Sequence, residues 1–203
     1  MANACKYKGD AGEREALAFL TESCPQLLVA HPARTRPGRA EDEGDLFAFP
    51  DVAVQVKNWT LSRIGQALRS AAAGADAQAA FGKREMAVGM VLYPRATKTQ
   101  VRWLFVSHHW PTDLDLEQAY ETQYDALIAD GQRKPVSRAA ACRHYRTVGK
   151  LLAWVRDDKG LVNGGLERED RVAALLIPDN PPLYVGTFEA WVSAYQHRST
   201  VNA

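Results

Sequence analysis

The chain has 203 residues, 46% hydrophobic and 24% charged, with 25 Lys+Arg against 24 Asp+Glu and a formal net charge of +1. That composition fits one globular core of ordinary size, alone or with an appendage, and the absence of any apolar run long enough to cross a bilayer argues against a membrane protein. Three cysteines (Cys5, Cys24 and Cys142), odd in number and lacking a C-x-x-C pair, argue against a disulfide framework and a cysteine zinc site.

In chain order, "GDAGEREALAFLTESC" places Ala16, Leu17 and Leu20 on a helical period with acidic residues near its start, which predicts a first helix ended by Pro25. "LLVAH" (27–31) is expected as a short strand, followed by the polar loop "PARTRPGRAEDEG". "DLFAF" and "VAVQVK" flank the turn residues Pro50 and Asp51, so they are expected as the two strands of a tight antiparallel hairpin. The Ala-rich stretch 61–82 predicts a helix with Gly74 near a break and Gly82 as its stop. "MAVGMVLY" and "VRWLFVS" are two further strands about the basic turn "PRATKTQ", giving an α-β-β-β-α-β-β order. Beyond Trp110 the patterning becomes mostly helical, over 115–130 and 137–158. Tyr145, Val148, Leu152 and Val155 form an apolar stripe in the second of these helices, and Arg143, Arg146 and Lys150 form a solvated basic one. "RVAALLIP" is a buried-strand candidate, and "TFEAWVSAYQ" is a last helix with Phe188, Trp191, Val192 and Tyr195 on one face. The fold class is therefore α/β: a mixed sheet flanked by helices, with a mostly helical C-terminal insertion or extension.

The hairpin carries the chemistry. Val52, Val54 and Val56 share one face of its second strand, so Gln55 and Lys57 share the other, and Asp45 belongs beside them if it opposes an odd-numbered position. Mg²⁺ takes one or two carboxylates from protein and completes its octahedron with water and phosphate. Asp45 can supply the carboxylate, Gln55 its amide oxygen and Val56 a backbone carbonyl. Lys57 can stabilise charge on a scissile phosphate or hold an attacking water, and Glu13 can complete the metal's outer shell. His108 and His109 lack a third ligand at sensible spacing, and His144 sits in an expected basic helix, so none of them makes a metal site. Trp59, Trp103 and Trp110 are expected in packing.

"KGDAGERE", "GDL" and "VQVK" together resemble the PD-(D/E)XK nuclease superfamily, and within it the archaeal-type and actinobacteriophage Holliday junction resolvases. These carry K-G-x-x-x-E-R-E on helix 1, an Asp at a strand start and E-x-K on the next strand. Lys8, Gly9, Glu13, Arg14 and Glu15 match the first element, Asp45 the second and Lys57 the third, over about residues 6 to 106. The departure is Gln55, where the resolvase pattern has Glu; the resulting Q-x-K resembles Mrr-type restriction endonucleases. A neutral amide keeps an oxygen ligand while removing a unit charge from the metal site.

The resemblance implies a restriction-endonuclease-like core over 1–110, with 111–203 as the extension and 171–197 returning to that core. It implies Mg²⁺, with Mn²⁺ as a substitute, held by Asp45 and Gln55, and a catalytic set of Glu13, Asp45, Gln55 and Lys57. Arg14 and the loop residues Arg34, Arg36 and Arg39 are then the expected DNA contacts. Residues 1–110 hold 14 Lys+Arg against 11 Asp+Glu and the remainder 11 against 13, a mild bias of the first half toward phosphate. The expected partner is DNA, most of all branched DNA met by a homodimer, because paired cuts in a four-way junction call for two sites about a two-fold axis. The polar N-terminus lacks a secretory h-region, which places the chain in the cytoplasm, or in the host cytoplasm if a phage encodes it. The alternatives are an Mrr-like or repair endonuclease acting on duplex DNA and an inactive nuclease-fold DNA-binding module.

Overall fold

The computed structural model describes residues 4–35, 44–94, 96–97, 100–114, 143–176 and 180–201. It divides into two compact units, Met1–His109 and Trp110–Ala203. The segment 171–197 falls inside the second unit.

In the first unit the elements run α1 (Ala4–Ser23), β1 (Ala33–Arg34), β2 (Leu46–Phe47), β3 (Val52–Lys57), α2 (Ile64–Gly82), β4 (Met86–Leu92) and β5 (Trp103–Ser107), the expected order. The strands lie side by side in sequence order. β1–β2, β2–β3 and β4–β5 pair antiparallel and β3–β4 parallel, so the sheet is mixed. The parallel pair needs a crossover, and α2 supplies it.

Alternation along the strands sorts the two faces. Gln55 pairs with Gly89, and Gly89 with Val106. A Cβ on Gly89 would meet Ala71 of α2 at 2.5 Å, so this face is covered by α2. Trp103, one step out of phase with Val106, packs its ring against Phe19 of α1 at 6.3 Å between centroids, so α1 covers the other. α2 buries Ile64, Ala67, Leu68, Ala71, Ala72, Ala75, Gln78 and Ala79, a helical stripe of mostly small side chains that lets it approach the sheet closely. Truncating its fully buried Leu68 to Ala should destabilise the unit by about 2–5 kcal/mol.

Three expectations fail here. The first helix starts at Ala4, ahead of the expected "GDAGERE", so no acidic residue lies in its first turn. The strand expected at 27–31 is absent: Pro25 opens a 3-10 turn through Leu27, and pairing moves to Ala33–Arg34, leaving Val29 N–H to Ala48 O at 2.8 Å. Nor is there a break at Gly74, since α2 runs unbroken to Gly82 and ends on Lys83 at φ 51, a left-handed residue whose N–H returns to Ala79 O.

The second unit contains β6 (Arg143–Tyr145), α3 (Val148–Val155), β7 (Val172–Leu175), β8 (Leu183–Thr187) and α4 (Phe188–Val201). β7 lies between β6, parallel to it, and β8, antiparallel. All four residues of β7 are buried, as are Trp191 and Tyr195 of α4, which match expectation. The helix expected over 137–158 is corrected. Residues 143–145 form a strand, so His144 and the basic trio Arg143, Arg146 and Lys150 do not share one helix. α3 begins only after Thr147, whose backbone is extended. The helix expected over 115–130 lies outside the described residues. Among the described residues no helix is long and apolar enough to cross a membrane.

Candidate functional site

The hairpin register pairs Leu46 with Val54, and one position further on Asp45 stands opposite Gln55. Position numbers in this pair sum to an even constant, so Asp45, Gln55 and Lys57 share the face covered by α2, as the site requires. Gly44 makes the approach possible. Its φ is +118, and a Cβ there would come within 3.0 Å of Val54 O. The backbone of Asp45 is pinned on both sides, donating from N–H to Val54 O at 2.9 Å and accepting from Thr35 N–H at 3.0 Å.

The ladder ends where the Asp45 side chain takes over. Its Oδ2 accepts the Val56 N–H at 2.8 Å and a second hydrogen bond from Gln55 Nε2. Among the described residues no donor bonds Oδ1. Burial pushes the Asp45 pKa above the usual carboxylate range and the nearby Glu13 charge adds to this; the Val56 N–H, the Lys57 cation and the Gln55 amide pull it back only in part. Glu13 and Lys57 therefore act on Asp45 as neighbours, and the four expected catalytic residues gather at one place.

Gln55 is 6% exposed, and its amide carbon and oxygen face α2. A Cβ on Gly74 would lie 2.8 Å from Gln55 Oε1, so the glycine read as a break is a gap that the amide fills. The orientation follows from the carboxylate, which can only accept and so faces the amide nitrogen.

Glu13 is held in place. Arg34 donates to its Oε2 from Nε at 2.9 Å, with Nη2 at 2.7 Å, and Nη2 also meets Asp10 Oδ1 at 3.1 Å. Arg34, expected on DNA, is thus tied to two carboxylates. Arg14 is exposed on α1; Arg36 and Arg39 lie outside the described residues. Glu15 pairs with Arg102 at 2.5 Å. The start of α1 is locked to the end of β3, where Asn58 Nδ2 donates to Lys8 O at 3.3 Å and Gly12 leaves room for Asn58 Cβ. Sequence reading missed Arg34 as an anchor, along with Gly12, Gly44 and Gly74 as clearances. Of these glycines the sequence reading takes up only Gly74, as a helix break.

For a cation, the described residues contain no group of three His, Cys, Asp or Glu side chains able to hold one. The donors on hand are Asp45 Oδ1 and, with its amide turned over, Gln55 Oε1. One carboxylate and one neutral oxygen suit Mg²⁺, which keeps most of its water and phosphate ligands. His108 Nδ1 instead lies 2.5 Å from Asp76 Oδ2. Comparisons with protein-family models, with curated proteins and with solved structures found no match to this chain.

Proposed function

We propose that the chain is a divalent-metal-dependent DNA endonuclease of the PD-(D/E)XK kind, acting on branched DNA of the Holliday type as a homodimer. The observation that carries this reading is Asp45: a half-buried carboxylate with an elevated pKa, set opposite Gln55 and beside Lys57 on one face of a mixed sheet. When bound, Mg²⁺ would supply Lewis-acid polarisation of the phosphate and a more acidic water. Asp45 Oδ1 and, with its amide turned over, Gln55 Oε1 would hold that ion. Lys57, with no ion-pair partner among the described residues, stabilises the pentacovalent phosphate charge or holds the attacking water. Glu13, steadied by Arg34, adds negative charge that raises the site's pull on a cation. Cytoplasmic residence agrees with the unpaired, buried Cys24, whose thiol burial pushes up to about 11.

One observation favours a second reading. Gln55 Nε2 already satisfies Asp45 without a cation, as an inactive module with a retained fold would have it. A labelled four-way junction and a matched linear duplex, incubated with the full chain and Mg²⁺ or Mn²⁺, separate the two. Paired symmetric nicks in the junction support the resolvase, general cutting of duplex supports an Mrr-like enzyme, and binding without cuts supports the inactive module.

A further inference from the structure

Two residues past Lys57 the chain builds a second basic feature that the catalytic set does not use. Arg63, immediately ahead of α2, lays its guanidinium over the Trp59 ring, Cζ 4.4 Å from the centroid. Its Nε and Nη2 both donate to Gln66 Oε1, at 3.0 and 2.9 Å. An exposed arginine is ordinarily a loose, entropically expensive group, yet this one is fixed by an aromatic face and an amide fork. No carboxylate answers it among the described residues. From Lys57 to Ala75 the sequence carries Lys57, Arg63 and Arg69 and no acidic residue, although the whole chain is nearly neutral. Arg69 is exposed on α2 one turn beyond Gln66. Arg34, by contrast, is spent on Asp10 and Glu13.

We infer that Arg63, preorganised by Trp59 and Gln66, binds a backbone phosphate of the nucleic-acid strand running from the Lys57 site along the exposed face of α2 toward Arg69. The partner is a phosphodiester backbone because Lys57, Arg63 and Arg69 follow one another with no acidic residue between them, and Arg63 Nε and Nη2, already bonded to one Gln66 oxygen, are not free for a bidentate base contact. A guanidinium already immobilised loses less entropy on meeting phosphate than a free one. The inference rests on the nucleic-acid part of the proposed function and is independent of cleavage.

The test is anisotropy of a labelled four-way junction and a duplex with the full chain in EDTA, over a series of KCl concentrations, with each variant's fold checked by melting. Arg63→Ala should weaken binding to both DNAs about tenfold and make the salt slope shallower by about one. Arg63→Lys should restore the slope but only part of the affinity, since an ammonium is a point charge without the planar stack. Trp59→Leu should lose affinity several-fold with its slope unchanged. Wild-type affinity and slope in Arg63→Ala and Arg63→Glu would overturn the inference while leaving the nuclease standing. Arg63-dependent binding by a wild type that never cuts would uphold the inference and remove the nuclease. A wild type that binds no DNA overturns both.

Discussion

Two aspartates, one in each unit, both accept more than one N–H and end in opposite electrostatic states. Asp45 in the first unit is raised in pKa by burial, and its hydrogen bonds and Lys57 do not cancel that penalty. Asp157 in the second also meets a burial penalty, its largest single contribution, but the N–H groups of Asn163, Val162 and Leu161 and then the Arg171 charge together outweigh it and bring its pKa down. The backbone around Asp157 is shaped for this, with Gly160, Gly164 and Gly165 all at positive φ and Asn163 N–H 2.9 Å from its Oδ2. Asp157 closes a turn, which is architecture. Asp45 is a charge kept where folding alone disfavours it, and groups perturbed in that way gather where proteins bind cations and do chemistry. The difference is the reason the proposed chemistry is assigned to the first unit.

The largest effect that can break this contrast belongs to Lys57. Lys57→Ala should lower single-turnover cleavage of a four-way junction by about 10²–10³-fold or more, because it removes a cation aimed at developing phosphate charge. Its melting temperature should stay near wild type, as a partly exposed strand end contributes little to stability. Cleavage within a few-fold of wild type would remove Lys57 from the mechanism and leave Asp45 as an unexplained half-buried charge.

Gln55 comes next. Gln55→Ala should raise the Mg²⁺ concentration needed for cleavage by about tenfold or abolish turnover, since it deletes the neutral oxygen ligand. Gln55→Glu places a second carboxylate against Asp45. Without metal the two repel and the melting temperature falls; added Mg²⁺ should reverse the loss and support cleavage at lower concentration than in wild type. Equal cleavage by Gln55→Ala at every Mg²⁺ concentration would place the metal elsewhere.

Gly74→Ala should give a weaker copy of that phenotype. Alanine gains about 1 kcal/mol of helix propensity over glycine, while its Cβ would press on Gln55 Oε1 from 2.8 Å. Stability should therefore change little and the Mg²⁺ requirement rise several-fold, as a metal titration of cleavage would reveal. An unchanged titration would show that α2 does not position Gln55.

The hairpin and its face were legible because period-two alternation in "VAVQVK" and the Pro50–Asp51 turn are local signals, as are the Ala stripe of α2 and the apolar run of β7. What escaped was tertiary. The two-residue β1 is defined by its partner Phe47 and Leu46, with nothing in Ala33–Arg34 to announce it. Residues 143–145 extend because they pair with β7, a contact that overrides the helical periodicity continuing into α3. At the site, Asp45, Gln55 and Lys57 followed from register, whereas the tie of Arg34 to Glu13 spans 21 positions and has no local signature. Gly74 shows the limit most plainly: the same residue type marks a break or a clearance, and only the neighbour across the gap decides.

The smallest effect is a difference in sign, and it tests the two aspartates directly. An acid whose pKa is raised by folding favours the folded state below the ordinary aspartate range, and that advantage disappears as pH rises through the elevated value. An acid whose pKa is lowered gives stability above the ordinary range and loses it as pH falls through the depressed value. At neutral pH in EDTA, Asp45→Asn should therefore raise the melting temperature, because the amide keeps an acceptor for Val56 N–H without a half-buried charge. Asp157→Asn should lower stability by about 0.5–1 kcal/mol as the charge-assisted bonds to its turn weaken, with junction cleavage unchanged. Both differences should shrink as the pH drops below the aspartate range and the wild-type carboxylates protonate. Added Mg²⁺ should then stabilise wild type but not Asp45→Asn, since only a state that binds the ion gains from it. If Asp45→Asn instead melts lower than wild type at neutral pH, its carboxylate is a structural bond like that of Asp157, and the contrast between the two units falls.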